Sequence, residues 1–448
     1  MGRNIFSNCY DAVLTHDVLT RKNTCQTSVF RNVEIVKSSG VLSRLLAINR
    51  SSLCFELLFF LFSISINRAA SSTMNSASAL RIEPVETKQQ LADFFAVPQR
   101  LYRNDPAYVR PLDSLARMQV DSSRHPFYQH ATRELWVCYR DGQVVGRVAA
   151  IKDDLHNEYN SDAVGFFGMF ESIEDQHVVD LLLSSAEKWL REKGCRSMRG
   201  PVNPSMKGEF GVLVEGNEFP PYVMTGHSQK VYDQLLKESG CSVAKQFHAF
   251  RIQPHNDQSA YKIHWDRLQR VEAKIMRRYP QLHFKSVDRH SFEKTLRDIN
   301  ELGNVVRRHG FGFVPLTEAE LKFMTQNLRR VIRFEMIHVA YWDDQLVGFI
   351  VNIPDINWVL SKTMGRPDWL RMIQIPWLSR RCPRSRVIAL GVHEDFRKKG
   401  IAIMLIKRLT DIAHSFKEWE LSWVAEDLSL IHISEPTDQR GSRMPSSA

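Results

Sequence analysis

The 448-residue chain has no CxxC pair and no cysteine and histidine pairs at zinc spacing. Its cysteines, Cys9, Cys25, Cys54, Cys138, Cys195, Cys241 and Cys382, are scattered. They read as reduced thiols and indicate neither a disulfide scaffold nor a metal site. A long apolar run is also missing. The segment LCFELLFFLFSISI (53–66) spans only 14 residues, contains Glu56, and follows about fifty unhydrophobic residues. A membrane-spanning helix needs about 20 residues, and a signal peptide carries its apolar region near the start. P-loop, nucleophile-elbow and RNA-stacking motifs are lacking too, so nucleotide hydrolysis, serine-hydrolase chemistry and base recognition have no sequence support. What is present is ordinary globular composition, 43% apolar and 25% charged, at a length that allows two or three domains. The formal charge of +10 favours acidic partners without choosing among them.

An internal repeat sets the expected architecture. VCYRDGQVVGRVAAIKD (137–153) and VAYWDDQLVGFIVNIPD (339–355) align without gaps, each as two strand-period runs around an Asp-Gly or Asp-Asp turn. Helix-forming sequence precedes each hairpin (88–102 and 317–330). A strand, a helix and a strand follow, at 164–170, 176–193 and 195–202 in the first copy and at 386–392, 400–416 and 419–425 in the second. This order predicts an α/β fold, a mixed sheet flanked by helices, built twice. In the first copy QKVYDQLLKESG (229–240) reads as a short helix and CSVAKQFHAFRI (241–252) as a closing strand pair. The second copy has no counterpart.

The expected organisation is a leader over 1–73, a first domain over 79–255, a linker helix within 256–282, a second domain over 283–427 truncated at its C-terminus, and a tail over 428–448. The leader reads as sequence upstream of a start at Met74, as an organelle-targeting segment, or as a tether. The tail, LSLIHISEPTDQRGSRMPSSA, has no period and resembles translated adapter sequence. It is expected to leave an exposed sheet edge beside the strand at 419–425. No repeat element is expected before residue 79, so a chain begun at Met74 is expected to fold equally well.

The richest junction is HEDFRKKGIAIML (393–405), between an apolar strand (387–392) and a helix with Ile401, Leu405, Leu409, Ile412 and Phe416 on one face. A helix N-terminus offers unpaired N–H groups and a positive dipole end. Gly400 allows close backbone approach, Ala402 is nearly as small, and Arg397, Lys398 and Lys399 add charge. The junction reads as a pyrophosphate cradle.

Arg397-Lys398-Lys399-Gly400-Ile401-Ala402 resembles the acyl-CoA signature Q/R-x-x-G-x-G/A of the GNAT acyltransferase superfamily, with Val392 in the place of its leading valine. RNDPAYVRPL (103–112), RGPVNPSMKGEFGVLVEG (199–216), GFVPLTEAE (312–320), IPDIN (353–357) and ELSWVAED (420–427) are similar to segments of a widespread family of two-copy GNAT proteins, over about residues 79 to 427. The resemblance implies tandem GNAT-like domains and acyl transfer from acetyl-CoA or another acyl-CoA, without a metal. It implies a pantetheine arm lying between two splayed strands, held along the backbone of Leu390, Gly391 and Val392, with pyrophosphate on residues 397–402. The first copy has acidic, glycine-free ESIEDQH (171–177) at the equivalent place, so one CoA site is expected, in the second copy.

Acyl transfer to an amine needs a base and N–H donors facing the developing negative charge. The Val392 N–H is the candidate donor. Glu426, Asp355 and His393 are the candidate bases, each with a plainer reading as a strand terminus, helix cap or surface side chain. Tyr232 matches the place of the superfamily's acid tyrosine, but in the first copy, where core packing is the simpler role. Arg380, Arg381, Arg384 and Arg386 read as a solvated loop or as a contact for the CoA 3′-phosphate. A Gly400→Glu substitution is expected to destroy CoA affinity with little change in fold.

The implied activity is acyl-CoA-dependent N-acyl transfer, acetyl first, to a small-molecule or peptide amine. The rival is a protein that binds acyl-CoA without turnover. Nucleic-acid binding is not expected, membrane contact is not expected, and the expected location is cytoplasmic, or organellar if the leader is genuine. The sequence leaves the oligomeric state open.

Overall fold

The computed structural model describes residues 25–35, 80–253, 258–412 and 416–427. Strand β1 (Cys25–Ile35) stands alone ahead of the first copy. That copy comprises β2 (Leu80–Pro84), α1 (Lys88–Leu101), α2 (Asp113–Val120), β3 (Ala131–Arg140), β4 (Gln143–Asp153), α3 (Asp154–Asn160), β5 (Val164–Ser172), α4 (Gln176–Glu192) and β6 (Ser197–Gly200). It continues through short β7 (Val202–Asn203), β8 (Glu209–Phe210) and β9 (Val212–Glu215), then α5 (Tyr232–Glu238) and β10 (Ser242–Ile252). After helix α6 (Gln258–Arg278) the second copy runs β11 (Leu282–Ser286), α7 (Phe292–Arg307), α8 (Glu318–Leu328), β12 (Ile337–Trp342) and β13 (Gln345–Pro354). Helices α9 (Ile356–Lys362) and α10 (Asp368–Ser379), strand β14 (Arg384–Val392), α11 (Ile401–Ile412) and β15 (Glu418–Ala425) complete it.

Local chemistry repeats with the topology. Thr87 and Gln90 form a capping box at the start of α1, and Thr317 and Glu320 form the same device on α8. The repeated hairpins are β3–β4 and β12–β13. Asp141 and Gly142 both take left-handed backbone at the first turn, as a two-residue hairpin loop requires, and Asp343 does so at the second.

Both copies contribute to one sheet, ordered β11-β12-β13-β14-β15-β10-β1-β6-β5-β4-β3-β2. Pairs β5–β6 and β14–β15 are parallel and the rest antiparallel. The order is a palindrome of the two copies about β10 and β1. This corrects three expectations. Residues 241–252 supply one strand, not a strand pair. The edge of β15 is not exposed, because β10 crosses from the first copy and pairs with it from Phe247↔Ala425 to Ile252↔Trp419. And the leader does contribute an element: β1 lies between β10 and β6, with Val29, Phe30, Val33 and Ile35 buried. The alternation in SVFRNVEI is strand-like, but no partner strand was visible at that distance in sequence.

The helices cover both faces. Val178, Val179, Leu182, Ala186 and Leu190 of α4 point into the first copy's core, and Ile401, Met404, Leu405 and Leu409 of α11 do the same in the second. On the linker helix α6, Leu268 and Ile275 are buried, while Glu272 pairs with Lys407 (3.0 Å) and with Arg408. Its charged face is thus partly engaged rather than wholly solvated.

Beginning the chain at Met74 should lower its thermal midpoint by roughly 5 °C or more. The deletion exposes the facing edges of β10 and β6, loses the buried β1 side chains, each stabilising by about 1.5–3 kcal/mol when fully buried, and breaks the 2.8 Å Arg31–Asp233 bridge. Matched melts of the two chains would check this. An unchanged midpoint would return the leader to a dispensable role.

Candidate functional site

The parallel pairing of β14 with β15 runs only from Arg384↔Glu418 to Val387↔Leu421. Beyond that point β14 stays with β13 as far as Gly348↔Val392, while β15 stays with β10. A gap in the hydrogen-bond ladder therefore lies between residues 388–392 and 422–425. His393 donates its N–H to the Val347 carbonyl (2.9 Å). Since antiparallel neighbours alternate in direction, the N–H and C=O of Leu390 and Val392 face the other way, toward the gap. Gly391 is small for a packing reason: a Cβ there would stand 2.7 Å from the Phe349 ring.

Helix α11 begins at Ile401, nine residues beyond Val392. Its first backbone bond runs from Met404 N–H to the Gly400 carbonyl (3.1 Å), leaving the N–H groups of Ile401, Ala402 and Ile403 without an intrahelical acceptor. Arg397 and Lys398 are exposed. Lys399 folds back, donating to the Asp395 carbonyl (3.0 Å) and lying over the rings of Trp342 and Phe396. Gly400 has φ +84°, and a Cβ there would meet Ile275 Cδ1 at 2.4 Å. The backbone conformation thus favours glycine, and any side chain there would have to displace the end of Ile275. The expectation that Gly400→Glu leaves the fold nearly unchanged is corrected accordingly.

The first copy has the same frame with its openings filled. The registers Gly146↔Ser172 and Gly348↔Val392 make Ser172 the counterpart of Val392. The Ser172 N–H donates to the Tyr232 hydroxyl (2.8 Å), which donates to Glu171 (2.9 Å). Tyr102 donates to the same carboxylate (2.8 Å). Burial pushes the Glu171 carboxyl up to about 7, with Arg147 and the two tyrosines opposing the rise. Glu171 therefore faces inward and is no surface repellent. At α4 the Asp175 carboxylate accepts from the His177 N–H (2.9 Å) and pairs with Arg140 (2.6 Å), so it occupies the helix end.

The three candidate bases are not brought together. Glu426 is exposed at the end of β15, accepting from the Gln246 N–H (3.3 Å). His393 is partly exposed beside Val392, its Nδ1 accepting from the Asp395 N–H (3.4 Å). Asp355 is fully enclosed. Its Oδ1 accepts from Val223 N–H (2.8 Å) and Asn357 N–H (3.2 Å), and its Oδ2 lies 3.1 Å from Arg384 Nε without hydrogen-bond alignment. Burial raises its pKa. Asp355 ties the copies together and caps α9, and no amine reaches it.

The arginines divide. Arg380 and Arg381 are exposed, whereas Arg384 and Arg386 are buried within β14, which corrects both readings of them. Arg384 stacks 3.9 Å from the Tyr222 ring and pairs with Glu418 (2.9 Å). Arg386 donates to Ser422 Oγ (2.9 Å) and to the Val223 carbonyl, and lies 3.4 Å from Glu420. A sequence signal for this belt existed: Arg384 and Arg386 alternate on one strand, and Glu418, Glu420 and Ser422 on the next, at the period of one sheet face. Across the copy boundary Glu320 also pairs with Lys207 (2.9 Å) and approaches His130 (3.5 Å). Among the described residues no cluster suits a metal ion, and no helix is long and apolar enough to cross a membrane.

Residues 307–429 match the Acetyltransferase (GNAT) family. The chain is similar to Protein YghO of Escherichia coli (strain K12), at 28% identity over 347 residues, 76% of this chain and 87% of that protein. It is similar to the bacterial ceramide synthase of Caulobacter vibrioides (strain NA1000 / CB15N), at 27% identity over 367 residues, 80% of this chain and 93% of that one. Among solved structures, a tandem GNAT protein from the clavulanic acid biosynthesis pathway aligns at 10% identity with a TM-score of 0.43, over 78% of this chain and 91% of its own.

Proposed function

We propose, from the match of residues 307–429 to the Acetyltransferase (GNAT) family, that the chain is an acyl-CoA-dependent N-acyltransferase with a single donor site, in the second copy. The observation that carries the proposal is the contrast between two equivalent places. The second copy presents strand backbone without a ladder partner and, at α11, first-turn N–H groups without an intrahelical acceptor. In the first, the Tyr232 hydroxyl takes the Ser172 N–H and Asp175 caps α4.

In this reading the backbone of Leu390, Gly391 and Val392 holds the amide-bearing arm of the donor, and the N–H groups at the start of α11, with Arg397 and Lys398, hold its diphosphate. The donor supplies an activated thioester: the amine nitrogen bonds to the carbonyl carbon, the carbon–sulfur bond breaks, and the thiol leaves. The Val392 N–H faces the carbonyl oxygen as negative charge grows there. His393 and Glu426, neither of them enclosed, are the candidates in this reading to take the amine proton, directly or through water. For the acceptor, similarity to a bacterial ceramide synthase supports an amine on a lipid chain, since a ceramide is an N-acylated long-chain amino alcohol.

The test is a time course of CoA thiol release from acetyl- and longer acyl-CoA, with long-chain amino alcohols and small polar amines as acceptors. Thiol release that depends on an amine, with matching amide product, is expected. CoA binding without turnover across all acceptors would favour a sensor instead.

A further inference from the structure

We propose that the outer face of α10 docks onto an anionic lipid surface. This helix is apolar on the side where a surface helix is ordinarily polar. Its inner side is already used: Arg371, Ile375 and Ser379 are buried, and Ile375 packs with Val109, Leu112, Val359 and Leu360. The outer side carries Trp369, Met372, Ile373, Pro376 and Trp377, which recur at the spacing of a single helical stripe. Trp369 and Ile373 are 65% and 67% exposed, and Trp377, under the Arg381 guanidinium, is still 54% exposed. Leu115 of α2 and Met364, in the loop before α10, are exposed as well, at 50% and 48%.

The helix is held rigidly in this attitude. Asp368 accepts from the Ser114 N–H (3.1 Å), and Arg371 donates to the carbonyls of Pro111 (3.2 Å) and Arg110 (2.8 Å). These bonds turn the two charged side chains of the helix body inward and leave the stripe outward.

The charge around the stripe selects the partner. Lys362, Arg366, Arg380 and Arg381 are exposed at the two ends of the helix, and the Arg381 guanidinium lies 4.0 Å over the Trp377 ring. The single acid between residues 361 and 381, Asp368, is engaged inward. Tryptophans at each end of an aliphatic stripe, flanked by cations, match the interface between lipid headgroups and chains, where indole rings and guanidinium groups settle. The stripe from Trp369 to Trp377 is about 12 Å long at 1.5 Å per residue, enough to lie along a surface and too short to cross one. This departs from the expectation of no membrane contact. That expectation rested on the missing twenty-residue apolar run, which lying on a membrane does not require.

The experiment is flotation of the full chain with vesicles of phosphatidylcholine alone and of phosphatidylcholine with phosphatidylglycerol at about 2:1. The chain should float with the anionic vesicles, less so as salt is raised, and weakly or not at all with the neutral ones. Trp369→Ser with Trp377→Ser should reduce vesicle affinity at least about tenfold, with an unchanged thermal midpoint because both rings are exposed. Arg380→Glu with Arg381→Glu should also weaken binding and flatten its salt dependence. Failure of the natural chain to float, or equal floating by the double tryptophan variant, overturns the proposal. So does a dimer seen by sedimentation that the tryptophan variant dissociates while the natural chain stays off vesicles, since a second copy would then cover the stripe. No donor or acceptor is present in these assays, so their outcome is separate from that of the acyl-transfer reading.

Discussion

Ala402→Asp should weaken CoA binding by about a hundredfold or more, which corresponds to about 2.7 kcal/mol, without lowering the thermal midpoint. The new carboxylate sits in the first turn of α11, where it opposes a diphosphate at close range. The same carboxylate favours the helix, because negative charge at an N-terminus is stabilising by about 0.3–1 kcal/mol. Loss of binding and loss of fold are thereby separated. The substitution puts an acid in the first turn of α11, two residues inside the place that Asp175 takes as N-cap of α4. Gly400→Glu is the instructive companion. It should lose CoA binding too, but with a lower midpoint, because residue 400 holds φ +84° and its Cβ would press on Ile275. Isothermal titration of CoA beside a thermal melt reads both quantities. Natural affinity in Ala402→Asp would remove the α11 N-terminus as the diphosphate site and with it the placement of the donor.

The second large effect lies in the buried belt. Arg386→Leu should destabilise the protein by about 3–5 kcal/mol, the usual result of removing one partner of an enclosed ion pair. Arg386 is fully buried, and Glu420, 3.4 Å away, is bonded only locally by the Ser422 hydroxyl (2.6 Å). Burial already raises the Glu420 pKa, and the attraction of Arg386 is the largest influence opposing that rise, ahead of the Ser422 hydrogen bond and Arg384. Without the arginine the carboxyl moves further up. A carboxyl whose folded pKa exceeds its unfolded value favours the folded state at low pH and loses that contribution as pH rises. The defect should therefore be larger at about pH 8 than at about pH 5, straddling the range above the free carboxyl value of about 4.3. Urea melts at both pH values measure it, and Glu420→Gln added to Arg386→Leu should recover part of the loss at the higher pH. Equal stability of natural and variant chains would mean that the pair is well hydrated.

What could be read in advance followed from local periodicity. The two hairpins, the helices at α4 and α11 and the strands beside them are each announced within a few residues by alternation, a 3.6-residue period or a turn. The glycine junction was legible for the same reason, since strand, loop and helix start lie within fifteen residues. What failed depended on distant partners. Strand β1 is shaped by β10 and β6, more than 150 residues away, and Asp355 looked like an accessible strand-end acid because the Val223 N–H and Arg384 that enclose it lie elsewhere in the chain. Gly400 was half understood: its place at a strand-to-helix junction came from its neighbours, but its closeness to Ile275 came from a helix beginning at residue 258. Arg384 and Arg386 were misplaced because a dense run of arginines was weighed by charge rather than by its alternation.

The pairing of β10 with β15 also bears on how the chain comes into being. Synthesis finishes β10 well before residue 418 is added, and at about 5–20 residues per second the interval is on the order of ten seconds. Throughout it, the newborn first copy carries a complete strand whose outer edge has no mate, and an open strand edge is a template for any other extended chain. The repeat looks as if each half were a self-sufficient module, but the order of manufacture makes the first half wait for the last strand of the second.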